Sequence, residues 1–218
     1  MNEFFISPSI LSADFAKMGE DIRRITEGGA DMIHCDVMDG TFVPNISFGP
    51  KMIADIRSYT SLPLDVHLMV NRPERYIDVY AKAGADYIVV HYEACGTLVD
   101  TLKKIRKLGK KSGLVISPDT PAEVVYDYLA LTDLILVMSV YPGFSGQKFL
   151  PSSLEKLEKI SAKIKESGLN IRLQIDGGIN EETVKLVKKA GADTVVAGSS
   201  VFGAFDVAEA IKKLRDAQ

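Results

Sequence analysis

Only two cysteines, Cys35 and Cys95, occur in the 218 residues. A disulfide framework is therefore excluded, nothing motivates a single bridge, and two free thiols in a reducing cytoplasm are expected. Charge of one sign is not in excess either: 26 Lys and Arg face 29 Asp and Glu, for a net −3, and no block of like charge occurs. That balance argues against nucleic acid or an anionic membrane as the main partner. No apolar run approaches the roughly 20 residues needed to span a bilayer. The opening Met1-Asn2-Glu3-Phe4-Phe5-Ile6 has neither the basic region nor the long apolar stretch of a signal peptide. No linker or low-complexity segment interrupts the chain, so residues 1–218 read as one domain.

What is present is an alternation. Short apolar runs at Phe4–Ile10, Met32–Val37, Leu64–Met69, Tyr87–His91, Gly113–Ile116, Leu134–Met138, Ile171–Ile175 and Thr194–Ala197 read as strands. Several are continuous in Val, Ile and Leu, as parallel strands covered on both faces require. Between them lie helical patterns at Phe15–Glu27, Pro50–Tyr59, Pro73–Ala83, Leu98–Leu108, Ala122–Leu129, Leu154–Ser167, Glu181–Ala190 and Val207–Leu214. Asn180 is placed to cap one helix at its start, and Gly168 to stop another after a lysine-rich last turn. Gly29-Ala30-Asp31, Gly84-Ala85-Asp86 and Gly191-Ala192-Asp193 repeat one helix-to-strand connection in register. Eight strand–helix units with right-handed crossovers close most simply into a single (β/α)8 TIM barrel with short loops. A doubly wound open sheet fits less well, because no strand reads as an edge and no G-x-G-x-x-G opens the chain.

In such a barrel chemistry belongs at the C-terminal strand ends. The second strand carries His34 and Asp36, two residues apart and hence on one face, while Cys35 points the other way. A buried imidazole and carboxylate side by side are costly unless something pairs with them. His67 on the third strand and Asp176 ending the seventh lie at the same end. His34, Asp36, His67 and Asp176 could converge on one divalent cation, a donor set that suits Zn2+ first and also accepts Fe2+, Mn2+ or Co2+. His91 also ends a strand but shows no partner at matching spacing, and is expected to be structural or to support the ligands. Gly177-Gly178 and Gly198-Ser199 follow the seventh and eighth strands, the usual phosphate site of a barrel. Gly143-Phe144-Ser145-Gly146 could add amides or fold over as a lid. A small phosphate ester is the implied substrate. Met38, Met69 and Met138 also fall at strand ends, either as core filler or as a soft cap over a planar anionic intermediate.

A cation at a carbonyl oxygen acidifies the neighbouring C–H and stabilises the resulting enediolate. Carboxylates on strands two and seven could then work on opposite faces of the substrate, one removing a proton and the other returning one, which inverts a stereocentre without redox chemistry. No lysine stands at a strand end to form a Schiff base, and no Ser-His-Asp arrangement is visible.

The motifs Ser7-Pro8-Ser9-Ile10-Leu11, His34-Cys35-Asp36-Val37-Met38-Asp39-Gly40, Phe42-Val43-Pro44-Asn45, Asp65-Val66-His67-Leu68-Met69, Pro142-Gly143-Phe144, Asp176-Gly177-Gly178 and Ala197-Gly198-Ser199 together resemble the ribulose-phosphate 3-epimerase family, from Ile6 to Leu214. The resemblance implies metal-dependent interconversion of D-ribulose 5-phosphate and D-xylulose 5-phosphate, an isomerase step of the pentose phosphate pathway. It implies one divalent ion per subunit on His34, Asp36, His67 and Asp176, with Asp36 as proton acceptor and Asp176 as proton donor. It further implies substrate contacts from Ser9, His67, Gly143, Phe144, Ser145, Gly146, Asp176, Gly177, Gly178, Gly198 and Ser199, and a cytoplasmic homo-oligomer. Three positions depart from the usual pattern: Ser117 for Asn, Tyr141 for a small polar residue and Ser145 for Gly. A D-allulose-6-phosphate 3-epimerase would use the same groups on a sugar one carbon longer. The D-x-K-x-x-D motif shared by related barrel decarboxylases is absent.

Overall fold

A computed structural model describes residues 3–217. Eight parallel strands form one sheet: β1 (Phe5–Pro8), β2 (Ile33–Met38), β3 (Leu64–Met69), β4 (Tyr87–His91), β5 (Lys111–Ile116), β6 (Leu134–Met138), β7 (Arg172–Asp176) and β8 (Thr194–Ala197). Neighbours run in the order β1-β8-β7-β6-β5-β4-β3-β2, and a parallel bridge between Ser9 and His34 joins the two ends into a barrel. Helices α1 (Met18–Glu27), α2 (Pro50–Ile56), α3 (Ile77–Ala83), α4 (Leu98–Lys107), α5 (Ser153–Ser167), α6 (Thr183–Lys189), α7 (Ser199–Phe202) and α8 (Val207–Asp216) lie along the connections. No helix among the described residues is long and apolar enough to cross a membrane.

The strand alternation partitions two cores. Ile33, Cys35, Val37, Val66, Leu68, Ile88 and Val90 face outward and pack against the helices in one large cluster. Inside the barrel, Val89, Val115, Leu134, Leu136 and Met138 fill one side. His34, Asp65, His67 and Gln174 are also fully buried, so a polar network shares the barrel with that apolar cluster.

The strands follow the sequence expectation closely; the connections differ more. The first strand ends at Pro8, because Ser9 to Ser12 turn away in a 3-10 segment capped by the Ser9 hydroxyl. The β5–β6 connection is 3-10 over Ala122–Leu131 instead of an α-helix, in a run holding Val124, Val125, Tyr126 and Tyr128, which favour helix weakly. The helix expected from Glu181 is α6 and starts at Thr183, with Asn180 Oδ1 accepting from the Glu182 and Thr183 amides. Helix α7, a single turn directly after β8, has no periodic signal in the sequence.

The repeated Gly-Ala-Asp connection has a further role. Gly29, Gly84 and Gly191 take φ of 89°, 109° and 102°, the left-handed region that ends a helix most easily at glycine. The aspartate that follows then clamps the neighbouring odd-numbered strand with two bonds. Asp31 donates its amide to Ile6 O (3.0 Å) and accepts from Ile6 N (2.7 Å). Asp86 does the same with Leu64 (3.0 and 2.9 Å), and Asp193 with Leu173 (3.0 and 3.2 Å). Asp133 repeats it with Ser112 (2.7 and 2.9 Å) without the Gly-Ala prefix. These clamps fix the N-terminal end of the barrel, opposite the end that carries the chemistry.

Candidate active site

Register builds the site. In the β2–β3 pairing His34 lies opposite Asp65 and Asp36 opposite His67, so four polar side chains meet on one interior face. His34 directs Nδ1 at Asp65 Oδ2 (2.8 Å), which also accepts from Gln174 Nε2 (2.7 Å). The His34 Nδ1 bond to a carboxylate oxygen leaves Nε2 aimed at the barrel mouth. There His34 Nε2, His67 Nδ1 and Asp36 Oδ1 stand 3.2–3.3 Å from one another. Asp176, at the end of β7, completes a quartet with one donor atom from each residue within 4.8 Å of the others. The second Asp36 oxygen accepts from Ser9 Oγ at 2.5 Å, across the seam where β1 meets β2.

Electrostatics around the quartet ask for a positive charge. Burial works against a charged His34, yet Asp36 and Asp65 on either side raise its pKa well above the ordinary value. Against the cost of burial, His34 and His67 hold the Asp36 carboxyl far below the usual carboxylate range. Burial and the Asp36 charge push Asp176 up to about 7. Burial, with His91 and His34 alongside, brings His67 down to about 4 despite its bond to Asp36. The three edges among His34, His67 and Asp36 match a metal site, since ligand bonds of about 2.0–2.1 Å in a tetrahedron give donor separations of about 3.3–3.4 Å. Two imidazole nitrogens and two carboxylates are also the donor types Zn2+ and its divalent neighbours take. The residues therefore fit a divalent cation.

Above the quartet opens a cavity of about 470 Å³. Asp36 and Asp176 line it, whereas His34 and His67 are fully buried behind them. His67, expected to touch substrate as well as metal, is not among the lining residues. Met38, Met69 and Met138 line the floor, each at most 4% exposed. Ser9 and the segments Gly143 to Gly146, Gly177-Gly178 and Gly198-Ser199 line the rest. Gly178 (φ 64°) lies so close to Phe149 that a Cβ would come within 2.4 Å of its backbone nitrogen. The loop over the mouth is pinned by Asn45 Nδ2 to Gly143 O (2.7 Å) and by Gln147 Nε2 to Tyr141 O and Phe144 O (2.7 and 2.9 Å). The unusual Tyr141 donates its hydroxyl to Asp119 (3.0 Å), and Ser145 is exposed.

The family model for ribulose-phosphate 3 epimerases matches residues 5–202. The chain belongs to that family. It is 49% identical to the ribulose-phosphate 3-epimerase of Bacillus subtilis (strain 168), over 96% of this chain and 97% of that protein. It is 44% identical to the enzyme of the same name from Escherichia coli (strain K12), over 99% and 96%. Among solved structures, a 3-hexulose-6-phosphate synthase superposes with a TM-score of 0.69 at 20% identity, covering 98% of this chain and 99% of that one, a likeness of fold alone.

Several polar groups around the quartet and the cavity carry no clear signal in the sequence. Asp65 and Gln174 orient His34 from below. Ser12 and Ser200 carry buried hydroxyls with no partner among the described residues, and both line the cavity. His91, expected to have no partner at matching spacing, has two: its Nε2 lies 2.9 Å from His67 Nε2, and its Nδ1 lies 3.0 Å from Glu93 Oε2. For Asp65 and Gln174 a weaker signal exists, since Asp65/His67 and Gln174/Asp176 repeat the two-residue spacing of His34/Asp36.

Proposed function

We infer that this chain is a ribulose-phosphate 3-epimerase, an isomerase that interconverts D-ribulose 5-phosphate and D-xylulose 5-phosphate. The observation that carries the chemistry is the placement of Asp36 and Asp176, the two carboxylates of the quartet that also line the cavity. Asp36, kept ionised by its imidazole neighbours, takes the C3 proton from one face. Asp176, the carboxyl more readily protonated, returns one to the other face, so the C3 configuration inverts. His34, Asp36, His67 and Asp176 are the residues that would hold a divalent ion, Zn2+ in our reading, and that ion supplies Lewis-acid polarisation of the adjacent carbonyl. Met38, Met69 and Met138 keep water away from the planar intermediate. The phosphate sits toward Gly177, Gly178, Gly198 and Ser199, where the free Ser12 and Ser200 hydroxyls await acceptors. Ser9 and the Gly143 to Gly146 loop close on the sugar.

A six-carbon substrate is not favoured, since the relatives named above are ribulose-phosphate 3-epimerases. The two cysteines are unpaired and buried, which suits a cytoplasmic enzyme. A homo-oligomer is part of the same proposal and is read out by light scattering on the eluted protein. The function is tested by coupled assay on ribulose 5-phosphate and, in parallel, allulose 6-phosphate, before and after chelation. Turnover of the pentose phosphate that is lost on chelation and regained with Zn2+, Co2+, Mn2+ or Fe2+ is the expected result. Turnover that survives exhaustive chelation would contradict it.

A further inference from the structure

His34 and His67 present different nitrogens to the quartet: Nε2 from His34, Nδ1 from His67. A histidine that binds a metal through one nitrogen must carry its proton on the other, and that proton needs an acceptor. For His34 the acceptor is immediate, because β3 places Asp65 directly opposite. For His67 it is not: the residue opposite on β4 is Val89. The first polar side chain within reach is His91, at the end of β4, stacked on His67 with ring centroids 5.0 Å apart.

The proton positions along this chain of groups can be assigned from its far end. Glu93 Oε1 accepts from the Ser117 amide (2.8 Å) and also bonds the Thr120 hydroxyl. An amide can only donate, so the group facing it is an acceptor. With Oε1 engaged as an acceptor, Oε2 is the oxygen left for His91, and a carboxylate can only accept. The proton between Glu93 and His91 therefore sits on His91 Nδ1. Neutral His91 then has a lone pair on Nε2, 2.9 Å from His67 Nε2. Only a proton on His67 Nε2 makes that contact a hydrogen bond. His67 is left with its lone pair on Nδ1, pointing into the quartet.

We propose that Glu93, acting through His91, is a positioning residue that fixes the tautomer of His67 and thereby sets the affinity of the quartet for its divalent ion. This rests on the metal-site reading above. Glu93 is to His67 what Asp65 is to His34, with one imidazole inserted to span the extra distance. The unusual Ser117 belongs to the same device: its amide holds Glu93, and its hydroxyl lies 3.5 Å from His91 Nδ1.

The test uses the full-length, Zn2+-loaded protein in competition with a chromophoric chelator. Glu93→Gln is nearly isosteric but offers one acceptor oxygen where two are used. His91→Phe keeps a flat ring but removes the acceptor. Both are expected to weaken Zn2+ binding by about 10–100-fold. His91→Gln, whose side-chain oxygen can accept from His67 Nε2, is expected to recover most of the loss. Long-range proton–nitrogen NMR of the wild type adds a readout that a merely structural role would not move. The chain has only three histidines, all in this cluster, and His91 is expected to be protonated on Nδ1 and His67 on Nε2. A His91 proton found on Nε2 overturns the proposal, as does a Glu93→Gln protein that holds Zn2+ within about two-fold of wild type. Glu93→Gln and His91→Gln keep the question open to decision if His91→Phe does not fold. If the wild type itself binds no Zn2+, the metal reading fails and the affinity claim with it, a result distinct from wild-type binding that Glu93→Gln leaves unchanged.

Discussion

The Ser9 hydroxyl lies 2.5 Å from Oδ2 of Asp36, across the seam where the barrel closes. The other Asp36 oxygen faces His34 and His67. Ser9 thus engages one oxygen of this carboxylate, and the other stands among the imidazole nitrogens of the quartet. No side-chain donor reaches the Asp176 carboxyl among the described residues, and burial together with the Asp36 charge raises its pKa to about 7. Two carboxylates in one site have been given opposite protonation preferences by their neighbours.

That asymmetry makes the two asparagine substitutions distinguishable. Both Asp36→Asn and Asp176→Asn, assayed with saturating Zn2+, should lower epimerisation by at least about 100-fold, since general acid–base groups contribute 100- to 10,000-fold. Hydrogen exchange at C3 in D2O should then separate them. Asp176→Asn retains the base for ribulose 5-phosphate and should still exchange that substrate's C3 proton without forming much product. Asp36→Asn should exchange xylulose 5-phosphate instead. Equal loss of exchange from both substrates in both variants would show that the two carboxylates do not work on separate faces.

Much of this arrangement is written in the strands themselves. His34/Asp36 and His67 stand out because polar residues are rare in runs such as Met32–Val37 and Leu64–Met69, and strand geometry fixes their common face. The barrel is legible for the same reason, each strand being short, apolar and followed by an amphipathic stretch. Glu93 is not legible, because it lies in a turn beyond β4 and matters only once β3 and β4 pair in a register that brings His91 to His67. The Asp31, Asp86 and Asp193 clamps read as ordinary turns until the neighbouring strand is known. Ser12 and Ser200 carry no periodic signal, and the orphaned state of their hydroxyls is a property of the packed cavity.

The proton on Asp176 also has a consequence for stability. Its pKa in the folded chain is raised to about 7 by burial and by Asp36, against about 3.9 for an unperturbed aspartate. A raised pKa means that the stability it contributes is fully present below about pH 4 and is lost as the pH rises through about 7. In protein stripped of metal, Asp176→Asn should therefore gain on wild type as the pH is raised from 4 to 8. The ceiling is about 1.4 kcal/mol per pH unit across that window. His67 and His91, both lowered by burial, slope the other way in both proteins, so the difference between the two urea midpoints is the quantity to follow. A difference independent of pH would mean that Asp176 is ionised throughout.

At the opposite end of the barrel the aspartate clamps should govern stability without touching catalysis. Asp86 accepts from the Leu64 amide and is paired with Arg57 Nη1 at 2.8 Å. Asp86→Ala would leave the Leu64 amide and Arg57 Nη1 without their acceptor, a loss of about 1–3 kcal/mol. Thermal and urea midpoints should fall accordingly, while kcat and KM at 25 °C stay within about two-fold of wild type, as for a change remote from the C-terminal strand ends.

Gly178 should behave in the reverse way. Its φ of 64° is one that side chains adopt only with strain, and an added Cβ would stand 2.4 Å from the Phe149 nitrogen and 2.7 Å from its Cα. Backbone cannot yield as a flexible side chain would, so Gly178→Ala must displace the Gly177-Gly178 turn from the segment at Phe149 that carries the end of the mouth loop. The proposed phosphate end of the cavity moves with it, whereas Asp36, on the far side of the barrel, stays where β2 and β3 hold it. Phosphate binding is made in ground state and transition state alike, so its loss raises KM more than it lowers kcat. A rise in KM of about 10-fold or more, with a smaller fall in kcat, is the expected pattern. An unchanged KM with a collapsed kcat would place the phosphate elsewhere in the cavity.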